Sequence, residues 1–352
     1  MADTDALLET LMLPFERGEL AWPVEGGAAF LHARAGAALS RHALPGLVCE
    51  QDFRPEAEAL ERAGLPLAAG HDGQRHPLVL VLPPRQREQA RALYARALDR
   101  VAPGGRVLAC AANNEGARSA EDDLRRLAGP LSTLSKNKAR VFWTRPLRLA
   151  EAADRVDHTL LDAWRELDAP RPVAGGRFRS RPGVFAWDRI DPASALLAAH
   201  LPATLAGRAA DLGAGFGYLA VELLERCPRI TALDLYEADA RALELARDNL
   251  APFAGRAALG FHWHDVTAGL PERYEVIISN PPFHAQGRAE RPDIGRAFIA
   301  AAAAALQPGG SLWLVANRHL PYEAALGSGF AQVETVAQQG GFKVVHARRS
   351  AR

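Results

Sequence analysis

The stretch Asp211-Leu212-Gly213-Ala214-Gly215-Phe216-Gly217 limits what this chain can fold into more than any other. It follows an apolar run from Arg208 to Leu212 and precedes a helical pattern from Tyr218, so it reads as a strand-to-helix turn. Glycine there permits the tight bend and lets backbone N–H groups come close to a ligand. From this turn strands and helices alternate. Strand Ile230 to Tyr236, helix Ala240 to Asn249, strands Leu259 to His264 and Tyr274 to Ser279, helix Ile294 to Leu306 and strand Ser311 to Ala316 follow in order. Such alternation predicts an α/β doubly wound, mostly parallel sheet. Phe330 to Ala337 and Phe342 to Ala347 flank Gln338-Gln339-Gly340-Gly341 and predict a hairpin that closes the sheet with an antiparallel edge.

At 352 residues the chain is long for one core, since single cores stop growing at about 250 to 300 residues. The segment DAPRPVAGGRFRSRPGVF, residues 168–185, has no periodicity and is rich in Pro, Gly and Arg, so it reads as a linker. It separates residues 1–167 from 186–352. Beyond it, Asp191 caps a helix with Pro192 at its first position.

The halves repeat one another. Ala28-Ala29-Phe30-Leu31-His32-Ala33-Arg34 parallels Ala209-Ala210-Asp211-Leu212-Gly213-Ala214-Gly215, and LVLVLPP at 78–84 parallels VIISNPP at 276–282. APGGRVLACAANN parallels QPGGSLWLVANRH, and KARVFWTR parallels FKVVHARR. Four parallels in one order predict a duplicated domain. The copies differ at the chemistry: Phe30 stands for Asp211, His32 for Gly213 and Leu82 for Asn280, so the first copy is read as degenerate.

Charge says little about partners. The chain carries 42 Lys+Arg against 41 Asp+Glu, and a surplus of base this small in the second half is weak evidence for an anionic partner. The scattered Cys49, Cys110 and Cys227 form no Cys-x-x-Cys pair, so they are expected to be buried apolar side chains and no metal is expected. No basic-then-apolar leader opens the sequence and no run approaches the ~20 apolar residues of a membrane span, which predicts a cytoplasmic protein with no membrane contact.

A carboxylate opening the glycine turn would repel a pyrophosphate but suits the ammonium of a methionine moiety, so Asp211 favours S-adenosyl-L-methionine over NAD as cofactor. Gly213, Gly215 and Gly217 complete that cradle, and Asn280 is counted with the cofactor-binding candidates as well as the catalytic ones. An acid at the end of the second strand should take the ribose hydroxyls. Asp234 and Glu237 compete for this role; Glu237 lies at the strand tip and is preferred, with Ala238 against the adenine face. Asp265 after the third strand is positioned to accept the adenine amine, or else caps a turn. His262 and His264 lack a third ligand and are not read as a metal site.

Asn280-Pro281-Pro282-Phe283 ends the fourth strand, where doubly wound sheets bind ligands. The prolines remove two N–H donors and leave carbonyls to face a substrate. A nucleobase amine is a poor nucleophile because its lone pair is delocalised into the ring. The Asn280 side-chain oxygen and the Pro281 carbonyl, accepting its two N–H groups, would favour the pyramidal geometry needed to attack a methyl group, and Phe283 would stack on the base.

With these motifs the chain resembles the bacterial ribosomal RNA guanine-N(2) methyltransferases of the RsmC and RlmG type. Besides DLGAGFG and SNPPFH (Ser279 to His284), the likeness rests on RPGVF (Arg181 to Phe185), VAN..LPY (Val315 to Tyr322) and FKV (Phe342 to Val344). The resemblance implies two tandem Rossmann-like class I methyltransferase domains with seven-stranded sheets. The first would support the second and help hold RNA; the second would methylate a guanine amine, with 16S rRNA in the small ribosomal subunit as the expected partner and a monomer as the expected state. Arg179, Arg181, Arg288 and Arg318, with Arg177 and Arg291, are candidates for phosphate contacts. The alternatives are a 23S rRNA guanine, a protein glutamine amide, or a non-catalytic RNA-binding assembly factor.

Overall fold

The computed structural model describes residues 2–68, 73–147, 156–282, 292–320 and 322–351. They form two compact units, Met1–Ala169 and Pro170–Arg352. In the first, β1 (Ala28–Leu31), β2 (Leu47–Glu50), β3 (His76–Val81), β4 (Val101–Ala112), β5 (Leu131–Lys136) and β6 (Ala139–Thr144) build one sheet in the order β2-β1-β3-β4-β6-β5. The second opens with a small hairpin, β7 (Arg171–Val173) and β8 (Phe178–Ser180). Its main sheet comprises β9 (Ala206–Leu212), β10 (Arg229–Glu237), β11 (Ala258–Trp263), β12 (Tyr274–Ser279), β13 (Leu306–Asn317), β14 (Gln332–Gln339) and β15 (Phe342–Arg348). Their order is β11-β10-β9-β12-β13-β15-β14. The expected alternation and closing antiparallel hairpin are both present.

Removing β11 from the second sheet leaves the strand order of the first. Among the described residues the first sheet therefore has six strands, against the seven expected. Where the counterpart of β11 belongs, the described residues show an isolated parallel bridge between Cys49 and Leu67. The repeat extends to backbone detail: His32 adopts φ 53° where its counterpart Gly213 has 73°, so the first copy keeps a left-handed turn without the glycine that makes it cheap.

Strand burial explains the layering. On β12, Val276 and Ile278 join one apolar cluster and Ile277 the other, the two-residue alternation of a sheet covered on both faces. Helices Tyr218–Arg226 and Ala240–Leu250 supply one cover, and helix Pro192–His200 packs on the same side through Leu197 and Ala198. Helix Pro292–Ala305 supplies the other through Phe298, Ile299 and Ala302. All three cysteines are buried and free. Among the described residues no helix is long and apolar enough to cross a membrane.

Residues 168–185 are not a solvated linker. The hairpin β7–β8 and the turn after it belong to the second unit, and Val173, Phe178 and Val184 are buried in its core. The Phe178 ring lies 5.8 Å from that of Phe216 and 5.5 Å from that of Tyr218, so it braces the glycine turn. Asn249 ties the same parts together, its Nδ2 donating to the carbonyls of Phe216 (2.8 Å) and Arg179 (2.9 Å). Pro, Gly and Arg obscured this, because the segment buries alternate side chains of very short strands. Phe178→Ala is expected to lower unfolding stability by about 3–5 kcal/mol. Phe185→Ala, at a position 64 % exposed, should change it by less than about 0.5 kcal/mol. Equal effects in urea denaturation would restore the linker reading.

Candidate active site

Three adjacent strands bring the predicted residues to one end of the second sheet. Tyr236 of β10 and Ser279 of β12 both pair in register with Leu212 of β9. Glu237, Gly213 and Asn280 are the next residues of the three strands, so they share one rim. The first connection from β9 leads to β10 on one side, while β12 lies on its other side, which makes this rim the switch point of the sheet. The Gly213 N–H donates to the Tyr236 carbonyl (2.8 Å), and the Ser279 hydroxyl donates to the Leu212 carbonyl (2.8 Å).

The glycine turn needs its glycines. Gly213, Gly215 and Gly217 have φ of 73°, 56° and 89°, a region that L side chains rarely adopt. A Cβ on Gly217 would also stand 2.6 Å from Leu250, so this glycine sets the approach of helix Ala240–Leu250 as well. The turn delivers the Gly215 N–H to Glu237 Oε2 (2.7 Å), while Glu237 Oε1 accepts from the Asp239 N–H (2.8 Å).

Asp211 is fully buried, and neither of its carboxylate oxygens has a hydrogen-bond partner of good geometry. Burial pushes its carboxyl up to about 8; the Glu237 carboxylate adds to the rise, and the Ala220 N–H pulls weakly against it. Burial likewise lifts the Glu237 carboxyl to about 7, against the N–H groups of Asp239, Gly215 and Ala238. A fully buried acid and a half-buried one beside a glycine turn suit a cation.

Asn280 directly follows β12 on the same rim. Its Nδ2 donates to Asp191 Oδ2 (3.0 Å) and to Ser194 Oγ (2.8 Å), while its Oδ1 is buried and has no hydrogen-bond partner. The amide is thus turned with its nitrogen paired and its oxygen unpaired. Pro281 is buried, and Pro282 is exposed.

The methyltransferase small domain family matches residues 175–346. A Ribosomal RNA small subunit methyltransferase C from Shewanella amazonensis is 29 % identical over 310 residues, spanning 87 % of this chain and 88 % of that protein. The protein of the same name from Yersinia pestis is 32 % identical over 264 residues, 75 % of this chain and 72 % of its own length. The chain belongs to the ribosomal RNA small subunit methyltransferase C family. A solved structure, the T. thermophilus 16S rRNA N2 methyltransferase RsmC in complex with AdoMet and guanosine, shares the fold with a TM-score of 0.77. It is 24 % identical and aligns with 97 % of this chain and 91 % of its own.

Within this family member the remaining sequence candidates fall into distinct settings. Glu237 stands on the rim, whereas Asp234 lies three residues earlier and is committed to Arg208 (2.7 Å), His262 (3.0 Å) and Tyr274 (3.0 Å). Burial alone would raise the Asp234 carboxyl, but those hydrogen bonds outweigh it and hold it below the usual carboxylate range. The Ala238 carbonyl accepts from Trp263 Nε1 (2.8 Å). Asp265 caps a short 3₁₀ turn, with Oδ1 accepting from the N–H (2.9 Å) and hydroxyl (2.7 Å) of Thr267.

The arginines fare differently. Arg181, expected to meet phosphate, is instead buried and paired with Glu244 (2.8 Å). Arg177 is held by Glu222 (2.6 Å) and Glu225 (2.5 Å). In each case the carboxylate comes from a helix that the sequence does not connect to the arginine. Arg179 and Arg318 are exposed, Arg318 just beyond β13. Phe283, His284, Arg288 and Arg291 lie outside the described residues, as does Pro321 of the LPY motif.

Asp191, Ser194, Asn249 and Phe178 were missed as site residues. Asp191 was legible only as a helix cap, a role it also fills by accepting from the Ser194 N–H (2.8 Å).

Proposed function

We propose that this protein transfers the methyl group of S-adenosylmethionine to the exocyclic N2 amine of a guanine in 16S rRNA, in the small ribosomal subunit. Membership of the family supports the RNA substrate, and the relatives' names support the small subunit. The observation that carries the chemistry is the unpartnered Asn280 Oδ1, on one rim with the half-buried Glu237 and close along β9 to the buried, unpartnered Asp211.

The residues present fit the cofactor. The unpartnered Asp211 oxygens suit its ammonium, the Gly213 to Gly217 turn leaves room for it, and Glu237 at the strand tip suits the ribose hydroxyls, with Ala238 and Asp265 toward the adenine. When bound, S-adenosylmethionine supplies an electrophilic methyl group. The chain's own part is to position the amine: Asn280 Oδ1 and the Pro281 carbonyl accept its two N–H groups, which draws the nitrogen lone pair out of conjugation and aims it at the methyl. Neither Pro281 nor Pro282 carries an N–H that would compete with the amine as donor. Phe283 is proposed to stack on the base, and the exposed Arg179 and Arg318, with Arg288, to meet phosphates.

The first unit is proposed to be a decayed copy that supports the catalytic one and helps hold RNA. Its turn is closed on itself. Gln51, at the position of Glu237, donates to the Ala33 carbonyl (2.6 Å) and accepts from the Phe53 N–H (2.9 Å), while the His32 ring bonds the Leu82 carbonyl (2.7 Å). Neutral Gln51 and apolar Phe30 stand where the second unit has the carboxylates of Glu237 and Asp211.

Labelled S-adenosylmethionine supplied with separated ribosomal subunits tests the assignment. The label should appear on N2 of a guanine in small-subunit RNA; label confined to protein, or to large-subunit RNA, would refute it.

A further inference from the structure

The unpaired oxygen of Asn280 has a structural counterpart in two residues outside the Asn-Pro-Pro loop. An Asn side chain is nearly symmetric in shape, and turned over it would present an NH2 group to the substrate amine. Two donors would then face each other, and the amine would lose an acceptor. Something must decide which way the amide lies. Asp191 Oδ2 and Ser194 Oγ both lie within 3.0 Å of Nδ2. A carboxylate oxygen can only accept, so the reversed amide would set its own oxygen against Asp191. The Ser194 side chain is buried and part of the same contact, and Asp191 Oδ2 is itself pinned by the Ser194 N–H at 2.8 Å.

From this geometry we infer that Asp191 and Ser194 are positioning residues for methyl transfer, a clamp that holds the Asn280 amide with Oδ1 toward the amine acceptor. The inference rests on the function proposed above. The clamp is built from the first turn of helix Pro192–His200, whose cap and third residue are 89 and 86 positions from Asn280. Helix capping and amide orientation are therefore one device: the oxygen that satisfies the start of the helix also sorts the two ends of the amide. Pro192 fixes φ at the first helical position and sets the angle at which Asp191 enters.

Three substitutions separate orientation from mere stability. Asp191→Ser keeps a good N-cap but brings an oxygen one bond shorter, out of reach of Nδ2. Ser194→Ala removes one acceptor and leaves the cap. Asp191→Asn keeps the shape, the cap and an acceptor, because the Ser194 N–H selects its oxygen. Single-turnover methylation of the small subunit is expected to slow about 100-fold in Asp191→Ser and about tenfold in Ser194→Ala. Asp191→Asn should recover most of the rate lost in Asp191→Ser. S-adenosylmethionine binding and the melting temperature should stay close to wild type in all three. The Asn280 side-chain NH2 resonance, assigned by its loss in Asn280→Ala, should exchange its protons slowly in the wild type and at least tenfold faster in Ser194→Ala.

Rates within twofold of wild type in both Asp191→Ser and Ser194→Ala, or losses that track melting temperature without faster NH2 exchange, would overturn the clamp. The exchange measurement needs no substrate. If the wild type proved to methylate no guanine, the function would fall while the clamp would still stand or fall on the NMR result.

Discussion

Asn280→Ala is expected to slow methyl transfer by about 10²- to 10³-fold at saturating cofactor and RNA, the effect of removing one preorganised polar group aimed at a reacting centre. Binding of S-adenosylmethionine should change far less, because the two carboxylates and the glycine turn remain. Asn280→Asp is the sharper variant. It keeps an oxygen toward the substrate but replaces the Nδ2 donor with a second acceptor beside Asp191 and Ser194. Like charges at that distance repel, so this variant should be at least as slow as Asn280→Ala at pH 8 and should partly recover at lower pH as one carboxyl takes up a proton. Single-turnover rates decide the matter, and a rate for Asn280→Ala within threefold of wild type would remove Asn280 from the chemistry.

Asp211→Asn should stabilise the cofactor-free protein and weaken cofactor binding together. The folded Asp211 carboxyl titrates at about 8, above its ordinary value of 3.8. The folded state therefore binds more protons than the unfolded one throughout that interval. Stability falls as pH climbs through it, by up to ~1.4 kcal/mol per unit for this group. Glu237, lifted to about 7, adds loss of the same sign between its ordinary 4.5 and about 7. In urea denaturation without cofactor, Asp211→Asn should gain several kcal/mol over wild type at pH 8 and little near pH 4, as expected for removing a buried, unpaired charge. A cationic ligand favours the ionised carboxylate, so wild-type affinity for S-adenosylmethionine should rise with pH up to about 8 and binding should release protons. Asp211→Asn should bind at least 100-fold more weakly at pH 8 and lose most of that pH dependence. Calorimetry in buffers of different ionisation enthalpy measures the proton count; an equal stability gain at pH 4 and pH 8 would defeat the linkage.

Much of the second unit was legible because its signals are local. The apolar alternation of Val276, Ile277 and Ile278 reports a sheet covered on both faces, and it does so within three residues. The choice of Glu237 over Asp234 as the residue on the rim follows from strand length alone, since β10 ends at Glu237. The same locality misled at residues 168–185. Pro, Gly and Arg there describe backbone freedom and solubility, not the burial of Phe178 against Phe216 and Tyr218. Arg181 was misread for a related reason, since a guanidinium near a site looks the same in sequence whether it faces solvent or a glutamate on a distant helix.

By itself the sequence determined the duplicated α/β architecture, the glycine turn with its acid, and the Asn-Pro-Pro loop at a strand end. Each depends on φ preferences, side-chain periodicity and caps acting over a few residues. Only the tertiary structure decided that Asp211 is buried without a partner, that Gln51 and His32 bond within the first copy's own turn, and that Asp191 and Ser194 accept from the Asn280 amide. Those facts depend on desolvation and hydrogen bonds between segments tens of residues apart, for which a linear pattern has no counterpart.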